Sequence, residues 1–132
     1  MFGSEGVDHS RVRRIAERLV GLKQTIAISE SSAGGLISAA LLTVPGASAY
    51  FLGGGVIYTR KSMSALLDLT PDKLGGIRSA TEPMARLLAE TIRSRLGADW
   101  GLAETARPAT DMGMLRATPA SPFRASRSQA GR

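Results

Sequence analysis

The chain has 132 residues, 43% hydrophobic and 21% charged, enough for one globular domain with a real core and too few for two. Its formal net charge of +6 raises the question of nucleic acid, but the surplus is uneven: 12 Lys and Arg face 10 Asp and Glu up to Ala106, whereas five arginines face only Asp111 beyond it. The absence of cysteine excludes disulfides, thiolate nucleophiles and cysteine-bound zinc.

Other classes fall on the same grounds. His9 is the only histidine, so no metal is expected. The aromatics Tyr50, Phe51 and Tyr58 lie in apolar surroundings, not interleaved with basic residues, so no nucleic-acid partner is expected. No apolar run is long enough to span a membrane, and "MFGSEGVDHSRVRR" has no apolar core of a signal peptide. A cytoplasmic location is the expectation.

In chain order, "HSRVRRIAERLVGL" (9–22) places Val12, Ile15, Ala16, Leu19 and Val20 at helical spacing, with Ser10 as the expected cap. "TIAIS" (25–29) is short, apolar and partly β-branched, the profile of a buried parallel strand. Then comes "ESSAGG", residues Glu30 to Gly35, leading into an apolar helix over 34–43. Pro45-Gly46 marks a turn, Gly53 to Gly55 a flexible or closely approached backbone, and Val56-Ile57-Tyr58 a second strand.

A short helix is expected over 62–69, followed by a Gly- and Pro-containing loop. The segment "RSATEPMARLLAETIRSRLG" reads as a helix with Thr81 as N-cap and Glu82 and Pro83 in its first turn. Arg93 and Arg95 sit near its end, and Gly97 stops it. "DWGLAET" (99–105) is a third strand. Strands alternating with helices predict an α/β layered fold. From Arg107 to Arg132 no period of 2 or 3.6 is sustained, and Ala, Arg, Ser, Pro and Gly dominate, so a disordered basic tail is expected after a domain of residues 1–106.

Two constellations carry chemistry. A strand running through "ESSAGG" into a helix offers unsatisfied amides, hydroxyls and glycines, which suits a phosphate or carboxylate and equally suits a plain helix start. Ser48 becomes a nucleophile only beside a base, which without a usable histidine would be Tyr58 or Lys61. No S-x-x-K spacing joins them, and spacing alone also allows Ser48 as a turn residue and Lys61 as a solvated side chain.

Together these segments resemble the CinA C-terminal domain family, the nicotinamide-nucleotide amidohydrolases. The family's A-E-S-C-T-G-G is similar to "ISESSAGG", its G-S-S-A-W-F to "GASAYF", its T-Y-S strand end to "VIYT", and its V-S-E-P helix start to "SATEPMA". The match in order and spacing runs over roughly residues 10–105. The resemblance implies a three-layer α/β/α sandwich that hydrolyses the carboxamide of nicotinamide mononucleotide to nicotinic acid mononucleotide and ammonia. It implies no metal and no organic cofactor, and we expect a homo-oligomer.

Position by position, the family's nucleophilic serine falls on Ser48 and its active-site tyrosine on Tyr58. Its anion-holding serine and glycines fall on Ser31, Gly34 and Gly35, and the threonine after the third strand on Thr105; Glu30 and Ser32 complete the expected substrate-binding stretch. The family's general-base lysine falls on Met63. Lys61 is a poorly placed substitute, because in a helix two residues apart means side chains about 200° apart. The motif's threonine is Ala33 here.

After Thr105 the family's G-x-A-G-P loop, further strand pair, closing helix and active-site arginine are not recognisable. The sandwich is therefore expected to be incomplete at its C-terminus, with reduced activity, a purely nucleotide-phosphate-binding oligomeric role, or no function as a truncated fragment. Reading plausible codons for "ATDMGMLRATPASPF" from the third base yields "NRYGDAAGHPGIAV", similar to a segment in one branch of the family. The tail is accordingly expected to be a frameshift product.

Overall fold

β1 (Ile26–Glu30) is buried at every position, so it needs cover on both faces, and the rest of the fold supplies it. A computed structural model describes residues 8–105 and the backbone of 117–119. β2 (Phe51–Val56) and β3 (Trp100–Glu104) flank β1 in parallel, and β4 (Ala117–Pro119) runs antiparallel along Leu102 to Glu104, giving the order β2-β1-β3-β4.

Helices cover both faces of this sheet. α1 (His9–Leu22) and α2 (Leu36–Leu42) enclose a core with Ile26, Ile28 and Tyr50. α3 (Arg60–Leu67), α4 (Pro71–Leu74) and α5 (Glu82–Leu96) enclose another with Ala27, Ile57, Met84, Leu88 and Ala103. This is the expected α/β/α sandwich. Alternation along β1 divides its residues between the two cores. Among the described residues no helix is long and apolar enough to cross a membrane.

Local signals explain most boundaries. Thr81 accepts from Met84 N at 3.3 Å, Pro83 lies in the first turn of α5, and Gly97 ends it in the left-handed region at φ 65°. α1 is capped by Asp8 rather than Ser10: Asp8 Oδ1 accepts from Arg11 N at 3.1 Å, and Ser10 Oγ donates to the same oxygen at 2.8 Å. A carboxylate reaches the free amides from one residue outside the helix, whereas Ser10 is already inside it. The buried stripe of α1 is narrower than its periodicity suggests, with Ala16 and Leu19 inside while Ile15 and Val20 face outward.

The largest shift concerns the second strand. It runs through the three glycines and ends at Val56, instead of beginning there. A Cβ at Gly54 would lie 2.9 Å from both Ile28 O and Ser38 Oγ. The glycines therefore mark close packing of β2 against β1 and α2, not a loop. α3 likewise starts earlier than expected, because Thr59 and Ser62 form a reciprocal capping box. In the segment read as tail, residues 117–119 are the short strand β4; the rest of it lies outside the described residues.

Candidate functional site

Glu30 ends β1, and Glu104 ends the adjacent β3; each is 1% exposed. Their carboxylates face the loop between β1 and α2. Glu30 accepts from Ile37 N at 2.8 Å and Ser38 N at 2.9 Å. Glu104 accepts from Ser31 N at 2.9 Å, Ala33 N at 3.0 Å and Ser32 Oγ at 2.6 Å. Buried carboxylates need such donors, and a helix start needs acceptors, so each solves the other's problem.

This arrangement changes what "ESSAGG" can offer. Gly34 N and Leu36 N are already bonded to Ser31 O and Ala33 O. Ser32 N and Gly35 N find no acceptor among the described residues, which leaves two amides and the Ser31 hydroxyl for a ligand. Gly34 at φ 63° and Gly35 at φ 101° hold the backbone in a conformation that disfavours side chains. The positive end of α2 is complemented by protein carboxylates, which oppose a further anion there.

The other expected site residues fall at two ends of the sheet. Tyr58 follows β2 at its carboxyl end, is 55% exposed, and precedes the Thr59 cap of α3. Lys61 is exposed on α3, whereas Met63 is 4% exposed inside the core with Leu67 and Leu88. Arg60, between Tyr58 and Lys61 in sequence, donates to Ile77 O at 2.9 Å and so is tied to the loop before α5. Thr105 is half-buried just beyond β3. Glu30, Ser31, Ser32, Gly34, Gly35, Tyr58, Lys61 and Thr105 therefore share the carboxyl end of the parallel strands, where ligands of open α/β sheets bind.

Ser48 is not with them. It is exposed in the 3-10 turn Ala47–Ala49, at the amino end of β2, where Tyr50 O accepts from Ile26 N at the start of β1. The six residues of β2 separate it from Tyr58, roughly 20 Å of strand. Sequence spacing could not show this, since ten positions can span a turn or a whole strand.

Glu104 is the residue of the candidate site that motif reading missed. Its partners lie 71 to 73 positions away, and an acidic residue at the end of an apolar strand, facing a Gly-rich helix start on the neighbouring strand, was the available signal. A second buried polar group, Ser29 Oγ, has no hydrogen-bond partner among the described residues; it faces the α5 side, away from this loop, as the alternation of β1 requires.

Comparison with known proteins agrees with this layout. The sequence matches the CinA C-terminal domain over residues 8–111. It is 38% identical over 102 residues to a CinA-like protein of Prochlorococcus marinus, covering 77% of this chain and 23% of the relative. A CinA-like protein of Myxococcus xanthus is 35% identical over 105 residues, covering 80% and 24%. The chain thus spans about a quarter of the length of these curated relatives. Among solved structures, the competence/damage inducible protein CihA from Agrobacterium tumefaciens superposes with a TM-score of 0.74 at 26% identity, covering 86% of this chain and 69% of that one. A competence-damaged protein superfamily member from Enterobacter cloacae, 17% identical, shares the fold with a TM-score of 0.71 over 91% and 82%. With the sandwich, the loop "ESSAGG" and the match over 8–111 all in register, the chain belongs to the CinA C-terminal domain family.

Proposed function

We propose that this domain is a CinA-type amidohydrolase acting on the carboxamide of nicotinamide mononucleotide, with turnover lowered relative to a member that carries the family's lysine. The observation that carries the reading is Ser48, exposed on a 3-10 turn behind Pro45-Gly46 at the family's nucleophile position. Its hydroxyl oxygen adds to the carboxamide carbon, and the C–N bond breaks. The serine proton leaves with the amine as ammonia, and water then cleaves the ester to give nicotinic acid mononucleotide. No metal or organic cofactor enters this scheme. The same proposal includes a cytoplasmic, homo-oligomeric protein.

The proton acceptor decides the rate. His9 opens α1, so Tyr58 and Lys61 remain as bases, and within one chain both stand a strand's length from Ser48. Met63 occupies the place of the family's lysine and is buried in the core. That specific observation also favours a second reading, a non-catalytic module that holds a nucleotide phosphate with Ser31 and the amides of Ser32 and Gly35, which Glu30 and Glu104 leave free, against the opposing charge of those carboxylates.

Ammonia release from nicotinamide mononucleotide separates the two. Release by the parent chain that Ser48→Ala abolishes supports the enzyme. Saturable binding of the nucleotide without release supports the module, and neither binding nor release refutes both.

A further inference from the structure

The two faces of the sheet are covered unequally. On one face α5 packs on β1, β3 and β4; on the other α2 packs on β1 and β2, and among the described residues no helix lies over β3 or β4 as α5 does. Trp100 of β3 points to this second face, because it shares the parity of Leu102, which packs with Ile26 and Ile28. Its ring is 36% exposed, and its indole N–H donates to Gln24 Oε1 at 2.7 Å, just past α1. A right-handed β1–α2–β2 crossover sets α2 on the β2 side of α1 and leaves the opposite flank of α1 over β3. With α1 antiparallel to β1 and turning about 100° per residue, that flank presents Ile15 and Leu22 next to the buried Ala16 and Leu19, then Arg11 and Arg18. Ile15 is 40% and Leu22 58% exposed, and these four residues line one surface groove.

The groove is apolar at its floor and basic along its wall. Its arginines carry costs that the domain does not recover. Arg11 stands in the first turn of α1, where the helix dipole disfavours a cation, and Arg14 and Arg18 repel each other one turn apart. Arg11 has Asp8 at 3.7 Å, whereas Arg14 and Arg18 form no ion pair among the described residues. Shape and charge together select the occupant. Two uncovered strands span about 10 Å, the width of one helix, and the face steps from the sheet up to α1, which a flat lipid surface does not match. The chain's own segment after Ala106, with five arginines and one acid, meets like charge here. A second copy brings the same arginines.

We propose that this face docks an acidic amphipathic helix of a partner protein, laid beside α1 over Trp100 and Leu102. Its apolar stripe meets Ile15, Leu22 and the Trp100 ring, and its carboxylates pair with Arg11 and Arg18. The surface lies away from the carboxyl ends of the strands, so the proposal is independent of the amidohydrolase reading.

Trp100 is the chain's single tryptophan, so its fluorescence reports occupancy of this face directly. The probe is a synthetic helical peptide without aromatic residues, with Leu at every a and d position and Glu at every e and g, whose own acids keep it from pairing with itself. Titrating it into the full chain is expected to shift Trp100 emission to shorter wavelength and to saturate. Binding should weaken about tenfold in Arg11→Glu/Arg18→Glu, which reverses the wall's charge, and in Leu22→Lys, which interrupts the floor. Both variants change exposed positions, and circular dichroism matching the parent confirms that they are folded. No shift with the peptide overturns the proposal. So does an equal shift with a peptide carrying Lys for Glu, or with one of the same composition and scattered leucines. Trp100 emission already that of a buried indole in the free chain shows that the C-terminal segment or a second copy fills the face, and overturns it too. A shift with vesicles of phosphatidylcholine and phosphatidylglycerol, but none with the peptide, overturns it in favour of a membrane.

Discussion

Glu30 and Glu104, buried at the ends of neighbouring parallel strands, divide four backbone amides of one loop and helix start between them. The loop is thereby fixed from beneath by carboxylates that lie 74 positions apart in sequence, as Glu30 and Glu104 are numbered. Truncating Glu104 would leave Ser31 N and Ala33 N unpaired in a buried place. Glu104→Ala is expected to lower stability by about 3 kcal/mol, and Glu104→Gln by less, because its carboxamide oxygen still accepts while its NH2 faces a donor. Urea unfolding midpoints measure both; an unshifted midpoint in Glu104→Ala would show that the network contributes nothing.

Two glycines make opposite predictions. Gly101 lies on β3 under α5, where a Cβ would stand 2.8 Å from Arg93 Cβ and collide with the Ala89 carbonyl. Gly101→Ala must push α5 off the sheet, with an expected loss of about 3 kcal/mol. Gly21 lies inside α1 with nothing within 4 Å of its Cβ position, so Gly21→Ala should gain about 0.5–1 kcal/mol from helix propensity. Thermal unfolding of the two variants beside the parent is the check, and a stable Gly101→Ala would contradict the close packing.

These contacts also mark how far the sequence could be read. α5 was legible at both ends because Thr81, Pro83 and Gly97 act locally, within a turn of where they stand. β1 was legible because burial on both faces requires a continuous apolar run. β2 was misplaced because its glycines report a tertiary fact, the approach of Ile28 and Ser38, while their composition is that of a loop. The candidate site divides in the same way. The loop after β1 announces itself, but the role of Glu104 and the separation of Ser48 from Tyr58 depend on strand order, which no local pattern encodes.

Tyr50 supplies a pH signature. It is 1% exposed, its hydroxyl donates to Leu41 O, and burial raises its pKa above the model-compound value of 10.0. The folded state thus favours the neutral phenol. Its contribution is fully present below the unfolded value near 10 and is lost as pH rises through the higher folded value. Tyr50→Phe removes this dependence and leaves Leu41 O without its donor, costing about 1 kcal/mol at neutral pH. Stability curves of parent and variant should converge as pH rises above about 10, the phenol's ordinary value. Curves that stay parallel through that range would rule out the buried phenol as the cause.

Met63 tests whether the family's lysine could simply be restored. α3 is fixed by the Thr59–Ser62 capping box and by Leu67, buried on the same face as Met63. Residues 61 and 63 point about 200° apart, so turning position 63 outward would bury position 61. Met63→Lys therefore places an ammonium in the core at an expected cost of about 3 kcal/mol at neutral pH. Burial disfavours the charged form, so the introduced amine has a lower pKa folded than unfolded, and its penalty shrinks as pH rises toward 10, about the ordinary lysine value. Measuring parent and Met63→Lys stability at pH 7 and pH 9.5 tests this directly. A penalty that is absent at neutral pH, or independent of pH, would mean that the side chain escapes to solvent and that position 63 remains open to the role the lysine plays elsewhere in the family.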